Sequence, residues 1–217
     1  MMDFELARGL MIDGQLKPNQ VNDPRILDAF RVVPRELFVP SSLKGVAYVD
    51  EDIEVAPGRY LLEPMVLARM IQAANPGPRD VALDIACGTG YSAALLAQLA
   101  GAVVAVEEDQ ELVDRATGTL LDLRYDSVVV VKSPLTQGWA EQAPYDVIVI
   151  NGMVEDVPQA LLDQLNENGR LVAVENMRGV GKAMLYIKEG GIIGRRELFD
   201  AASPLLPGFV KPRGFVF

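Results

Sequence analysis

The apolar positions of this chain change their spacing near residue 80. Before that point they recur at helical intervals. Phe4, Leu6, Ala7, Leu10 and Met11 form one set; Ile26, Leu27, Ala29 and Phe30 form a second behind Asn22-Asp23-Pro24, a capping residue followed by proline in the first turn. Val33-Pro34-Arg35-Glu36-Leu37-Phe38-Val39-Pro40 interrupts the periodicity, because each proline lacks an amide donor and restricts the residue before it. Residues 41–62 read as an irregular, partly acidic loop. Pro64 opens a further helix bearing Met65, Val66, Ala68, Met70, Ile71 and Ala74, which Asn75-Pro76-Gly77-Pro78 ends.

Beyond residue 80 the apolar runs become short and β-branched. Val81–Ile85, Ala102–Val106, Val128–Val131, Val147–Ile150 and Leu171–Val174 are predicted strands. Tyr91–Leu99, a segment capped by Asp109 with Leu112, Val113, Ala116, Leu120 and Leu123, and a segment from near Pro158 to Asn168-Gly169 are predicted helices, the last with Gly169 at its left-handed end. Such alternation predicts an α/β fold with a mostly parallel sheet covered on both faces. Ala183–Lys188 and Ile192–Phe199 flank Glu189-Gly190-Gly191, which predicts an antiparallel hairpin closing the sheet. The apolar segment Pro204–Phe217 is expected to pack as a final strand or to cover the site. Residues 1–62 are therefore read as a helical and loop extension and 63–217 as the α/β domain, the two forming one structural unit.

Composition narrows the chemistry. The 217 residues hold 20 Lys+Arg against 30 Asp+Glu, a net charge of −10, with no histidine and one cysteine. Without an imidazole, histidine triads, histidine general bases and histidine-ligated zinc are excluded. Acidic balance argues against a nucleic-acid surface, which needs Lys and Arg to neutralise phosphates. Ile85–Val106 is uncharged and long enough to span a bilayer, but it carries Cys87, Gly88, Thr89, Gly90, Ser92, Gln98 and Gly101 and lacks flanking Lys or Arg. It is read as a buried strand, loop and helix. Acids among the N-terminal apolar residues do not fit a signal peptide, and a lone Cys87 gives no disulfide, so a cytoplasmic protein is expected.

The informative stretch is Leu83-Asp84-Ile85-Ala86-Cys87-Gly88-Thr89-Gly90-Tyr91, which leaves a strand and enters a helix. Paired glycines let the backbone turn tightly against a ligand, and the helix start presents free N–H groups. Glu107 ends the next strand, where an acid can hold ribose hydroxyls. Gly88-Thr89-Gly90-Tyr91-Ser92-Ala93 also satisfies the dinucleotide pattern G-x-G-x-x-A. Asp84 separates the two readings: it would repel a pyrophosphate, whereas S-adenosylmethionine has no phosphate and carries an ammonium and a sulfonium. A third reading makes the glycines a tight turn and nothing more. The candidate cofactor residues are Asp84, Ala86, Cys87, Gly88, Thr89, Gly90 and Tyr91, with Glu107, Glu108, Ser133 and Asn151 at the ends of later strands; Asn151 serves equally as a turn residue. Cys87 reads as structural, having no base partner, and Trp139 as a core or pocket wall.

Val33 through Pro40, Ala47-Tyr48-Val49-Asp50, Asp84 through Tyr91, Val106-Glu107, Tyr145 through Val149 and Gly169 through Val172 together resemble, in order and spacing, the protein-L-isoaspartate O-methyltransferase family. The V-P-R-E-x-F-V-P block is the most distinctive element. The resemblance implies a Rossmann-like class I methyltransferase sheet with an N-terminal helical extension over the active site. It implies S-adenosyl-L-methionine as cofactor, S-adenosyl-L-homocysteine as product, and an isoaspartyl protein or peptide as acceptor. On that analogy Asp84, Gly88 and Gly90 meet the methionine end and Glu107 the ribose. Two positions depart from the family pattern. Tyr60-Leu61-Leu62-Glu63-Pro64 stands where the family has T-I-S-x-P, placing Leu62 at the hydroxyl position, and Ser133-Pro134-Leu135 replaces G-D-G. A carboxylate acceptor is ionised at neutral pH and needs no general base, which suits a chain without histidine. The acceptor-side catalytic candidates are Arg59, Tyr60 and Glu63, with Arg59 as a fork for a carboxylate or, equally, one half of a solvated pair with Glu63. A methyltransferase with a different small-molecule or protein acceptor, a silent S-adenosylmethionine-binding protein and a nicotinamide enzyme are the alternatives. No metal, nucleic-acid or membrane partner is expected, and the chain is taken as a monomer or homodimer.

Overall fold

A computed structural model describes residues 3–210 of the chain. Helix α1 (Phe4–Met11) starts at Asp3, whose carboxylate accepts the Leu6 N–H at 3.0 Å, and α2 (Pro24–Val32) starts at Asp23, which accepts the Arg25 N–H at 2.9 Å. Short 3-10 turns then lead to an antiparallel hairpin of β1 (Ile53–Ala56) and β2 (Arg59–Leu61). This corrects the reading of 41–62 as wholly irregular. Ile53 and Val55 are buried while Glu54 is exposed, and Pro57-Gly58, with Gly58 at φ +69°, turns the chain between the strands. The alternation is only four residues long, too short to stand out in the sequence.

Helix α3 (Pro64–Ala74) leads into the alternating region: β3 (Val81–Ile85), α4 (Tyr91–Ala97), β4 (Ala102–Glu107), α5 (Gln110–Asp122), β5 (Val128–Lys132), β6 (Tyr145–Val154), α6 (Gln159–Asp163), β7 (Leu165–Met177), β8 (Val180–Glu189) and β9 (Ile192–Asp200). The last seven strands form one sheet in the order β5-β4-β3-β6-β7-β8-β9, parallel from β5 to β7 and antiparallel beyond. The predicted α/β class and closing hairpin are both present, with Gly190 and Gly191 at φ +59° and +75° in the hairpin turn. The predicted helix ending at Gly169 is shorter. Helix α6 stops at Asp163 because Leu165 already pairs with Tyr145, and Asn168, not Gly169, takes the left-handed conformation at φ 63°.

Successive strand residues face opposite layers. Ala82, Val103, Ala105, Val147 and Val149 join one apolar layer with α3, α4 and the N-terminal Phe30 and Phe38; Leu83, Ile85, Val104, Val106 and Ile148 join the other with Leu161 and Tyr145. The N-terminal extension thus shares a core with the sheet. The segment after β9 runs beside β6: Leu205 bridges to Met153, and Leu206 N–H donates to Met153 O at 2.8 Å. Residues 211–217, part of the anticipated cover, lie outside the described residues. Among the described residues no helix is long and apolar enough to cross a membrane.

Candidate cofactor and acceptor site

Strand β3 delivers Asp84 and Ile85 to the carboxyl end of the sheet, and Ala86, Gly88 and Gly90, at φ 57°, 56° and 96°, turn the chain into α4. A side chain at Gly90 would meet Leu120 at 3.1 Å and Ala116 at 3.4 Å, so the turn packs directly on α5. Ala86 holds a left-handed conformation that disfavours any side chain, by about 1–2 kcal/mol. Such strain is tolerated where the surrounding fold fixes the backbone.

Asp84 is fully buried beneath this turn. Its Oδ2 accepts Ser92 Oγ–H at 2.7 Å and its Oδ1 accepts Asn151 Nδ2–H at 2.7 Å, while Asn151 also donates to Ile85 O at 2.9 Å. Burial pushes the carboxyl up to about 7; the bonds from Ser92 and Asn151 oppose the rise, and the Glu107 charge adds to it.

Glu107 ends β4 and is also fully buried. Its Oε2 accepts the Gly88 N–H at 3.2 Å, and its Oε1 accepts the Glu108 and Asp109 N–H groups at 2.8 and 3.4 Å. The remaining capacity goes to one cation. Arg59 Nε lies 3.0 Å from both carboxylate oxygens, and its Nη2 donates to Glu108 at 2.8 Å. Burial works against the Arg59 charge, but Glu107 and Glu108 outweigh it and raise its pKa. Anticipated as an acceptor fork or a solvated partner of Glu63, Arg59 instead stands on the carboxylate anticipated for ribose.

The other candidates divide by what they touch. Thr89 Oγ1 donates to Phe38 O at 2.5 Å, tying the glycine turn to the V-P-R-E-L-F-V-P block. Tyr91 turns its ring toward the same block, edge-on to Phe30 and Phe38 with centroids at 6.2 and 5.5 Å, and burial raises its hydroxyl to about 12. Cys87 is buried, and burial lifts its thiol well above the usual range, so it is a poor nucleophile. The Ser133 N–H donates to Glu107 O at 3.1 Å, beyond which Pro134 leads into a 3-10 turn. Trp139, partly buried, packs on the second apolar layer. On the acceptor side, Tyr60 pairs with Glu54 across the hairpin. The Glu63 N–H donates to Asp52 Oδ1 at 2.7 Å, and the Glu63 carboxyl is raised by burial and then by Asp50 and Asp52. Leu62 is buried, and its carbonyl accepts Arg35 Nη2–H at 2.9 Å.

Ser92, Arg35 and Asp52 were not anticipated. Ser92 lies in the fingerprint's own helix, one residue past Tyr91, but only the folded turn brings it back to Asp84. The hairpin lies over the glycine turn with Val55 against Gly88, and a Cβ built at Gly88 would stand 3.7 Å from Val55 Cγ2. Between hairpin and turn, a cavity of about 10 Å³ is left among Leu61, Leu62, Ala86, Cys87, Ser92 and Asn151. It has room for about one water molecule.

Residues 9–198 match the family model described as protein-L-isoaspartate(D-aspartate) O-methyltransferase. The protein-L-isoaspartate O-methyltransferase of Koribacter versatilis (strain Ellin345) is 37% identical over 197 residues, which span 91% of this chain and 89% of that protein. The corresponding protein of Synechococcus sp. (strain JA-2-3B'a(2-13)) is 41% identical over 169 residues, 78% of this chain and 69% of its own. Among solved structures, a protein-L-isoaspartate O-methyltransferase superposes with a TM-score of 0.79 at 24% identity, over 95% of this chain and 66% of that one. A Plasmodium falciparum protein named for the same activity, solved in complex with S-adenosyl-L-homocysteine, superposes equally well at 18% identity, over 95% of this chain and 99% of that one. At such identities the superpositions speak for the fold.

Proposed function

We propose that this chain, which belongs to the protein-L-isoaspartate(D-aspartate) O-methyltransferase family, is an S-adenosylmethionine-dependent methyltransferase that esterifies isoaspartyl carboxyls of proteins or peptides and releases S-adenosyl-L-homocysteine. The observation that carries this reading is the pair of buried carboxylates, Asp84 and Glu107, at the carboxyl ends of adjacent parallel strands on either side of a glycine turn. As a donor set they fit the cofactor: Asp84 suits the ammonium, Glu107 the ribose hydroxyls, and the turn offers backbone without intervening side chains. When bound, the cofactor supplies a methyl group already activated by the sulfonium.

The protein's own part is alignment and exclusion of water. Asn151 and Ser92 fix both oxygens of Asp84 in place. Thr89 and Arg35 anchor the glycine turn and the Leu62 backbone to the N-terminal extension, which closes the site from above. The isoaspartyl carboxylate enters already ionised, so no proton has to be removed from it. Tyr60 and Leu62 line the small cavity beside Asn151, and Glu63 follows Leu62 in the chain.

A second reading, transfer to another acceptor, is favoured by the acceptor side itself. Leu62 offers no hydroxyl to a carboxylate, and Asp50, Asp52 and Glu63 put negative charge beside it. The chain's acidity and its single cysteine suit a cytoplasmic protein without nucleic-acid partners. Transfer of labelled methyl from S-adenosylmethionine to an isoaspartyl peptide, with the aspartyl peptide as control, decides between acceptors. Label on the isoaspartyl peptide alone is the expected result; label on neither, with binding of the donor retained, favours the second reading.

A further inference from the structure

We propose that the β1–β2 hairpin is an intrachain plug of the cofactor cleft, with the Arg59 guanidinium holding Glu107 in place of a ribose, and that the cofactor is admitted only when this hairpin withdraws. The inference rests on the methyltransferase reading and adds a state in which the donor is shut out.

Three observations converge. First, Glu107 is saturated: each oxygen already accepts a backbone N–H and shares Arg59 Nε, so a ribose diol must compete with the guanidinium for the same lone pairs. Arg59 is 5% exposed, its pair with Glu107 is buried, and it bridges to the exposed Glu108 as well, so two carboxylates hold it. Second, the space is filled. Val55 Cγ2 lies 3.7 Å from where a Gly88 Cβ would stand, and at the Asn151 end of the cleft Leu61, Leu62, Ala86 and Cys87 enclose only about 10 Å³, where small-molecule sites offer roughly 300 Å³ or more. Third, the plug is braced from outside. Gly58 at the hairpin tip sits under Pro207, whose Cγ lies 2.8 Å from where a Cβ would be, and Leu206 is packed on Gly152 and bonded to Met153.

The hairpin therefore acts on affinity through occupancy: the observed dissociation constant is the intrinsic one divided by the fraction of molecules with the hairpin withdrawn. Removing the guanidinium raises that fraction. Arg59→Gln keeps a side chain that can donate to Glu107 and removes the positive charge and the bridge to Glu108.

The test is titration of S-adenosyl-L-homocysteine into the full chain and into R59Q by calorimetry, with amide exchange of residues 53–61 followed in the unsubstituted chain. R59Q is expected to bind about tenfold tighter or better, and the hairpin amides are expected to exchange faster in the saturated chain than in the free one. Equal or weaker binding by a folded R59Q, or hairpin amides as protected with ligand as without it, overturns the plug while leaving the methyltransferase reading intact. If R59Q does not fold, the exchange result on the unsubstituted chain decides alone. Absence of binding by both proteins at millimolar ligand overturns both readings.

Discussion

Asp84 shows how one buried group couples the site to the medium. Its carboxyl is raised to about 7, so between the ordinary carboxylate range and pH 7 the folded chain holds a proton that the unfolded chain has released. Stability contributed by that proton is fully present at low pH and is lost as pH rises through the window. Asp84→Asn keeps the shape, presenting an oxygen to Asn151 and an amide to the Ser92 hydroxyl, but carries no such proton. The unfolding free energy of D84N minus that of the unsubstituted chain should climb by on the order of 1 kcal/mol per pH unit from about 4 to 7 and then level off. Urea titrations at stepped pH check this; a flat difference would contradict the buried, protonated state. Asp84 itself was legible in the sequence because it lies within seven residues of the glycines that explain it. Arg59 was legible only as a charge, since its partner is 48 positions away and no local pattern links a hairpin tip to the end of β4.

The same distinction holds among the elements. The strand and helix alternation from β3 to β5 was readable, because each element is long relative to its period and is bounded by turns. The β1–β2 hairpin was not, and α6 is shorter than its composition suggested, because pairing of Leu165 with Tyr145 overrides local helical preference. The V-P-R-E-L-F-V-P block shows what a sequence signature can do without touching the chemistry. Arg35 is buried and donates to Ala47 O at 2.7 Å and Leu62 O at 2.9 Å, while Glu36 accepts Arg8 at 3.2 and 3.3 Å and also the Tyr48 hydroxyl. These bonds lash α1, the 41–48 segment and the base of the hairpin together. Arg35→Met fills much of the same volume but strands two buried carbonyls, and a loss of about 3 kcal/mol is expected, read as a lower denaturant midpoint. A loss under about 0.5 kcal/mol, the level of an ordinary surface substitution, would mean that the block is held by its apolar contacts alone.

At the scale of the molecule, the order β5-β4-β3-β6-β7-β8-β9 leaves two outer strands with very different character. Strand β9 carries Arg195, Arg196 and Glu197, charges that discourage another chain from adding to its open ladder. Strand β5 is Val128-Val129-Val130-Val131-Lys132, with Val129 51% exposed and a single charge at the end. Four consecutive valines on an outer strand combine high β-propensity with low charge, the features of a sticky edge. Self-association of folded copies is therefore expected to start at this one rim of the sheet. Val129→Lys should raise the concentration at which the heated or stored protein begins to scatter light, and Ile192→Lys, at the 73% exposed position on the guarded rim, should not.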